Sequence, residues 1–173
     1  MPEALDIQKC IKNLREVELF RDLTDTQLHM VAELCELLLK TKGDMIIREG
    51  EVPRGFYILL LGEVTVSKKL QLPHLEHADP EDRILTRITA EGRPALGETA
   101  LVGQPIRSAS VRCATEATLY RIDSEKLLAL MEREPEIGSR VYRRLSETLY
   151  HRMETTSVDV VKLSAALVYA LEE

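Results

Sequence analysis

The chain has no tryptophan, only two phenylalanines and only three cysteines in 173 residues. With so few aromatic rings, the core has to be aliphatic, and Val, Ile and Leu pack a β-rich interior well. Cys10, Cys35 and Cys113 are odd in number and far apart, with no CxxC pair among them. That excludes a cysteine zinc or redox motif and fits reduced thiols in a cytoplasmic protein. No apolar run approaches the ~20 residues a membrane helix needs. The opening segment, MPEALDIQKC, lacks the basic and apolar regions of a signal peptide. Excess basic charge is missing too: the net charge is −6. Nucleic-acid affinity comes mainly from phosphate neutralisation, so an acidic chain with interleaved charges disfavours it. The one dense basic cluster, Arg140, Arg143 and Arg144 with Arg152 further on, reads as a solvated helix face.

What is present is a globular composition, 45% hydrophobic and 30% charged, long enough for one domain plus an extension. Residues 5–40 read as helical. Thr24 and Gln27 have the spacing of a capping box. Leu28, Val31, Leu34, Cys35, Leu38 and Leu39 then recur at three and four residues, which predicts a helix running to a stop at Gly43. From Gly43 to Asp123 short apolar runs alternate with turn signals: Met45–Ile47, Phe56–Leu61, Val64–Val66, Ile84–Ile88, Ser108–Cys113 and Leu119–Ile122. Such spacing predicts a sandwich or barrel. No strand–long helix–strand alternation supports a Rossmann-type sheet. Residues 70–82, with two prolines, read as an exposed loop.

After Asp123 the pattern turns helical again. A short helix starts at Ser124, capped by Asp123 or Ser124. Pro135 opens a second helix, in which Ile137, Val141, Leu145, Leu149 and Met153 form an i, i+4 stripe. Thr155-Thr156-Ser157 are poor helix formers. The tail from Val158 to Leu171 is apolar on most faces and expects something to pack against. The division is therefore 1–42 helical, 43–123 β, 124–155 helical and 156–173 a helical tail.

Chemistry concentrates in 97–110, GETALVGQPIRSAS. Gly97 allows close backbone approach to a ligand. Glu98 can accept hydrogen bonds from sugar hydroxyls. Thr99, Ala100 and the residues to Val102 can form one turn whose free N–H groups attract an anion. Arg107 offers a planar charged fork suited to phosphate. Ser108 adds a hydroxyl and Ala109 leads into a strand, while Pro105 shapes the return.

This segment closely resembles the phosphate-binding cassette of cyclic nucleotide-binding domains: Gly97-Glu98, Ala100-Leu101 and Arg107-Ser108-Ala109 all match the family pattern. The order Gly43, Glu49-Gly50, Tyr57-Ile58-Leu59, Gly62-Glu63-Val64 resembles the family's first half. Together the resemblance covers roughly residues 15–153. Residues Gly92 to Leu96 depart from it, being one longer and lacking an Asp and a Phe. The resemblance implies an eight-stranded antiparallel jelly-roll β-barrel with helices before and after it. It implies a ribose contact for Glu98 and a cyclic phosphate contact for Arg107. Ser108 leans the choice toward cAMP over cGMP by family habit, with the base capped near Thr148, Arg152 and Met153. The expected function is a non-catalytic cyclic nucleotide sensor that relays occupancy to its C-terminal helix.

Other readings compete. Glu98 and Arg107 could be a mere surface ion pair. His74 and His77, with Glu76 and Asp79, could hold a metal, but a polar loop explains them, and the His-x-His of a cupin is missing. The cysteines lack a neighbouring His for nucleophilic work. No metal cluster supports a phosphodiesterase, and in a complete chain about twenty residues after Met153 are too few for a winged helix-turn-helix; a truncated transcription regulator of the same family is the alternative that this leaves. A degenerate barrel serving as a protein scaffold is argued against by the intact cassette. The stripe over 136–153 with the tail 158–171 could instead be a homodimer seam.

Overall fold

The computed structural model describes residues 5–69, 82–103 and 106–172. Most of the expected 70–82 loop, with His74, Glu76, His77 and Asp79, and also Pro105, lie outside the described residues. Two helices open the fold, α1 (Ile7–Arg15) and α2 (Asp25–Ala32), with a 3₁₀ turn at Glu18–Phe20 between them. Both begin on side-chain caps. Asp6 accepts from the amides of Gln8 and Lys9. Thr24 and Gln27 form the reciprocal box that their spacing predicts.

The helix expected to reach Gly43 stops at Ala32. Eight strands follow: β1 (Cys35–Lys40), β2 (Met45–Ile47), β3 (Gly55–Leu61), β4 (Glu63–Lys69), β5 (Asp82–Thr89), β6 (Ala95–Leu96), β7 (Ser110–Cys113) and β8 (Ala117–Asp123). The run Cys35–Lys40 is a strand because β8 supplies a full ladder from Cys35 opposite Ile122 to Lys40 opposite Ala117. A short, nearly continuous apolar run satisfies helical and strand periodicity equally, and the pairing partner decides.

The strands form two antiparallel sheets, ordered β1-β8-β3-β6 and β2-β7-β4-β5. First pairs with last, second with seventh, third with sixth and fourth with fifth, as in a long hairpin rolled into a double-sheet jelly roll. Among the described residues no ladder joins one sheet to the other. The eight strands expected in a closed barrel therefore stand as two sheets of four. The sheets end on very short strands: β6 has two residues and β2 has three.

Strand alternation splits the interior in two. Phe56 and Ile58 of β3 and Tyr120 and Ile122 of β8 face the helices, packing with Leu14, Phe20, Leu28, Leu127, Ile137, Val141 and Leu145. Leu59, Leu96, Ala117 and Leu119 face the other sheet, against Ile47, Val64, Val111 and Cys113.

Helix α3 (Ser124–Arg133) is capped by Asp123, and α4 (Pro135–Glu172) follows with proline in its first turn. Its 38 residues extend about 57 Å. It does not break at 155–157. The hydroxyls of Thr155, Thr156 and Ser157 donate to the carbonyls of His151, Arg152 and Met153, so their polar groups are satisfied within the helix. The apolar stripe divides: Ile137, Val141 and Leu145 are buried in the chain's own core, Leu149 lies at its margin, and Met153 is 61% exposed. From Tyr150 to Leu171 the helix is exposed.

The arginine cluster is more than a solvated face. Arg144 forks onto Asp22, Nε to Oδ2 at 2.7 Å and Nη2 to Oδ1 at 2.6 Å, and Arg140 donates to the Asp22 carbonyl at 2.9 Å. This bidentate pair ties the root of α4 to the turn before α2. The Arg144 hydrogen bonds hold the Asp22 carboxyl below its ordinary value. A lowered carboxylate pKa stabilises the fold above the ordinary aspartate value of about 3.9, and this contribution drains as pH falls below it. Asp22→Asn is expected to lower the melting temperature at neutral pH and to lose less stability on acidification to about pH 3. Circular dichroism melts of both proteins across that range check it; parallel acid limbs would refute it.

Candidate functional site

The segment Gly97–Ala109 leaves β6 in one sheet and enters β7 in the other, so it crosses the mouth between the sheets. Its 3₁₀ turn, Glu98–Val102, lies between two left-handed glycines, Gly97 at φ 77° and Gly103 at φ 78°. The far end is pinned by the backbone: Arg107 donates its amide to Glu51 O at 2.8 Å and accepts from the Gly50 amide at 2.9 Å. The Ser110 hydroxyl accepts from the Glu49 amide at 3.0 Å.

Two charged side chains are buried here, Glu98 at 3% exposure and Arg107 at 6%. They do not form an ion pair with each other. Arg107 donates from Nη1 to Gly97 O at 2.8 Å and from Nη2 to Gly55 O. Burial pushes its pKa down, opposed by the fields of Tyr57, Glu98 and Glu51. Among the described residues no carboxylate lies within ion-pairing distance of it. Glu98 instead faces Arg152 of α4, whose Nη1 lies against Oε1 without the alignment of a hydrogen bond.

A cavity of about 340 Å³ opens beside this turn, within the usual range for small-ligand sites. Its rim carries Gly97, Glu98, Thr99, Arg107, Ser108, Ala109 and Arg152. Its floor is mainly apolar: Ile47, Val66, Ile88 and Val111 from one sheet, with Thr86 among them, and Ala95 and Leu96 from the other. Of the site residues expected from sequence, all but Ala100 line the cavity; Ala100 closes the turn, its amide donating to Gly97 O at 3.2 Å. Sequence reasoning missed the floor residues. Their alternation in β2, β4, β5 and β7 marks them as inward-facing, but only the fold shows that they sit beneath the cassette. It also missed the contact between Arg152 and Glu98, residues far apart in sequence.

A carboxylate and a guanidinium set by one tight turn over an apolar floor define a small-molecule-binding β domain. The comparisons place it further. The profile of the cyclic nucleotide-binding domain family matches residues 40–134, and the chain belongs to that family. It is 34% identical over 98 residues to human cGMP-dependent protein kinase 2, covering 57% of this chain and 12% of the kinase. In structure it resembles the sensor domain of the transcriptional regulator DNR from Pseudomonas aeruginosa, with TM-score 0.68, 20% identity, and 86% and 93% of the two chains covered. It also resembles the regulatory domain of Toxoplasma gondii PKA solved with cAMP, with TM-score 0.62, 25% identity, and 73% and 46% covered. The chain spans about an eighth of the kinase it matches. No helix among the described residues is long and apolar enough to cross a membrane.

Gly97 is the position where backbone form and site geometry meet. A Cβ there would lie 2.5 Å from Arg107 Nη1 and 2.9 Å from Ile47 Cδ1. Gly92 has a similar φ of 70° but a Cβ on it would meet nothing within 4 Å. Gly92→Ala is expected to cost about 1 kcal/mol of backbone strain, and Gly97→Ala clearly more, because the Arg107 fork must move. Urea unfolding of the two variants measures the difference; equal losses would show that Arg107 does not depend on this close approach.

Proposed function

We propose that the cavity binds a cyclic nucleotide, cAMP in preference to cGMP, and that the chain is a non-catalytic regulatory sensor. The observation that carries this reading is the buried Arg107. A guanidinium carries five N–H donors, and the structure commits two of them to the carbonyls of Gly97 and Gly55. A cation withdrawn from water without a carboxylate partner is costly, and an anion delivered to it offsets that cost. Glu98, on the same rim, supplies an acceptor for the ribose 2′-hydroxyl. The apolar floor suits the faces of a purine. Family membership supports the ligand class. The relatives named above bear on both cAMP and cGMP, so the preference for cAMP rests on Ser108 beside Arg107.

Charge-assisted hydrogen bonds contribute about 1.5–3 kcal/mol each. Arg107→Leu should therefore weaken binding roughly ten- to a hundredfold or more. Calorimetric titration with cAMP and with cGMP is expected to give tighter binding for cAMP, and a strong loss for both in Arg107→Leu. Equal affinity in native and variant proteins would defeat the assignment of Arg107, and tighter cGMP binding would reverse the preference.

A homodimer is part of the same reading, with its seam placed further along α4 than the stripe suggests. Ile137, Val141 and Leu145 are used in the chain's own core. Beyond them, Leu149, Met153, Thr156, Val160, Leu163 and Leu167 follow each other at alternating steps of four and three, a heptad seam with Val160 and Leu163 in the positions that parallel two-stranded coils favour. Val160, Leu163 and Leu167 are each more than half exposed. Sedimentation velocity is expected to show a dimer at micromolar concentration, reduced to monomer by Leu163→Glu. A monomeric native protein at that concentration would rule the seam out.

A further inference from the structure

A second cavity, of about 510 Å³, lies on the other side of Arg107, within the size range of small-ligand sites. Among the described residues it shares only Ile47 and Arg107 with the first. The Arg107 fork stands between the two: Nη1 donates to the carbonyl of Gly97, which lines the first, and Nη2 to that of Gly55, which lines the second. Tyr57 and Arg121 are cross-strand partners on β3 and β8, on the face that carries Leu59 and Leu119. Strand β2 adds Ile46, and the connection from β2 to β3 brings Arg48 and Arg54. Four guanidinium groups thus surround one space against a single lining carboxylate, Glu51. Two of them are partnered. Arg48 lies 3.3 Å from Glu51, and Arg121 lies 2.9 Å from Glu36 and 3.8 Å from Asp123. Arg54 and Arg107 make no ion pair among the described residues.

We propose that this second cavity is a separate anion site for a phosphate monoester, with Arg54 and Arg107 taking the phosphate and Tyr57 and Ile46 flanking its organic part. A phosphate monoester carries a charge of about −1.5 to −2 near neutral pH and three strong acceptor oxygens. Two guanidinium groups without carboxylate partners match that charge, whereas a carboxylate ligand would leave one of them unbalanced. Guanidinium forks also match phosphate oxygens in shape. Of the five N–H donors of Arg107, the structure commits two to carbonyls, so donors remain for an incoming oxygen. The site stands whatever the first cavity takes. Its shared cation has a consequence, however. An anion on either side of Arg107 weakens the field that the arginine offers on the other, so the two sites oppose each other, equally in both directions.

The test titrates the native chain with phenyl phosphate at fixed ionic strength, read by calorimetry and by amide NMR shifts. Saturable binding at about 1 mM or below is expected, with the largest shifts over 46–57. Arg54→Gln is expected to weaken it roughly five- to tenfold. Arg133→Gln removes the same charge from the end of α3, which lines neither cavity, and is expected to change it less than about twofold. Both arginines are exposed, so neither replacement is expected to unfold the chain. Equal losses in the two variants would show attraction to net charge alone and overturn the site. So would failure to saturate by about 10 mM. Shifts confined to 97–109, with no effect of Arg54→Gln, would put the phosphate in the first cavity and overturn the second site while the nucleotide reading stands. If the native chain binds phenyl phosphate but neither cAMP nor cGMP, the nucleotide reading fails and the anion site stands. Where cAMP does bind, saturating it is expected to weaken phenyl phosphate several-fold, and an unchanged affinity would overturn the sharing of Arg107.

Discussion

The hydrogen bonds from the buried Arg107 guanidinium to the carbonyls of Gly97 and Gly55 are the constraint on which the site depends. A guanidinium removed from water needs its N–H groups satisfied. The partners chosen are main-chain carbonyls, and each fixes a different element. Gly55 begins β3, and Gly97 ends the approach from β6. The Arg107 backbone is itself paired with Gly50 and Glu51. One residue, through its side chain and its backbone, therefore registers the start of one strand, the turn after another and the loop at 50–51 against each other. Burial lowers the Arg107 pKa, but a guanidinium starts so high that it stays protonated near neutral pH. The result is a permanent cation in a buried position, held by main-chain dipoles rather than by a counter-charge.

That arrangement explains why the cassette lies where the two sheets are joined by chain rather than by ladder. Sheet edges leave backbone groups unpaired. A connection crossing there can use those groups to position side chains and still change shape without breaking a ladder. Helix α4 is attached in the opposite way. Its root is held by a bidentate ion pair and by fully buried Ile137, Val141 and Leu145, whereas, among the described residues, the ion pair of its outer half with the body is that of one half-exposed arginine. A firm root with a weakly held outer half is the distribution of stability expected of an element that moves.

The parts legible in the sequence are those decided locally. The Thr24–Gln27 box, the Asp123 cap and Pro135 at the head of α4 each follow from one residue satisfying backbone groups within a turn of itself. That Glu98 and Arg107 come together at one cavity was legible because both lie on one connection. What failed needed a partner elsewhere. Cys35–Lys40 matches helical spacing and becomes a strand only because β8 pairs with it. Thr155-Thr156-Ser157 are poor helix formers by propensity, yet each finds a carbonyl four residues back and the helix continues. The arginine cluster read as solvated because its main partner, Asp22, lies 122 positions from Arg144. The two-sheet division depends on which edges meet, and strand spacing carries no information about that.

The same distinction bears on how a signal leaves the site. Arg152 and Met153 are adjacent on α4, one turned to Glu98 and the other the first of the exposed apolar residues in the proposed seam. On a rigid helix neither can move alone. A ligand that shifts Arg152 would change how Met153, Val160 and Leu163 are presented, and a partner that grips those residues would change how readily Arg152 shifts. Linkage requires the two effects to be equal in free energy. If the partner is a second copy, nucleotide affinity then depends on protein concentration to the same degree that dimer affinity depends on nucleotide. A sensor built this way needs no long pathway through its core. On the proposed reading the coupling would run along one helix, from a single charged contact at the cavity to the apolar residue beside it.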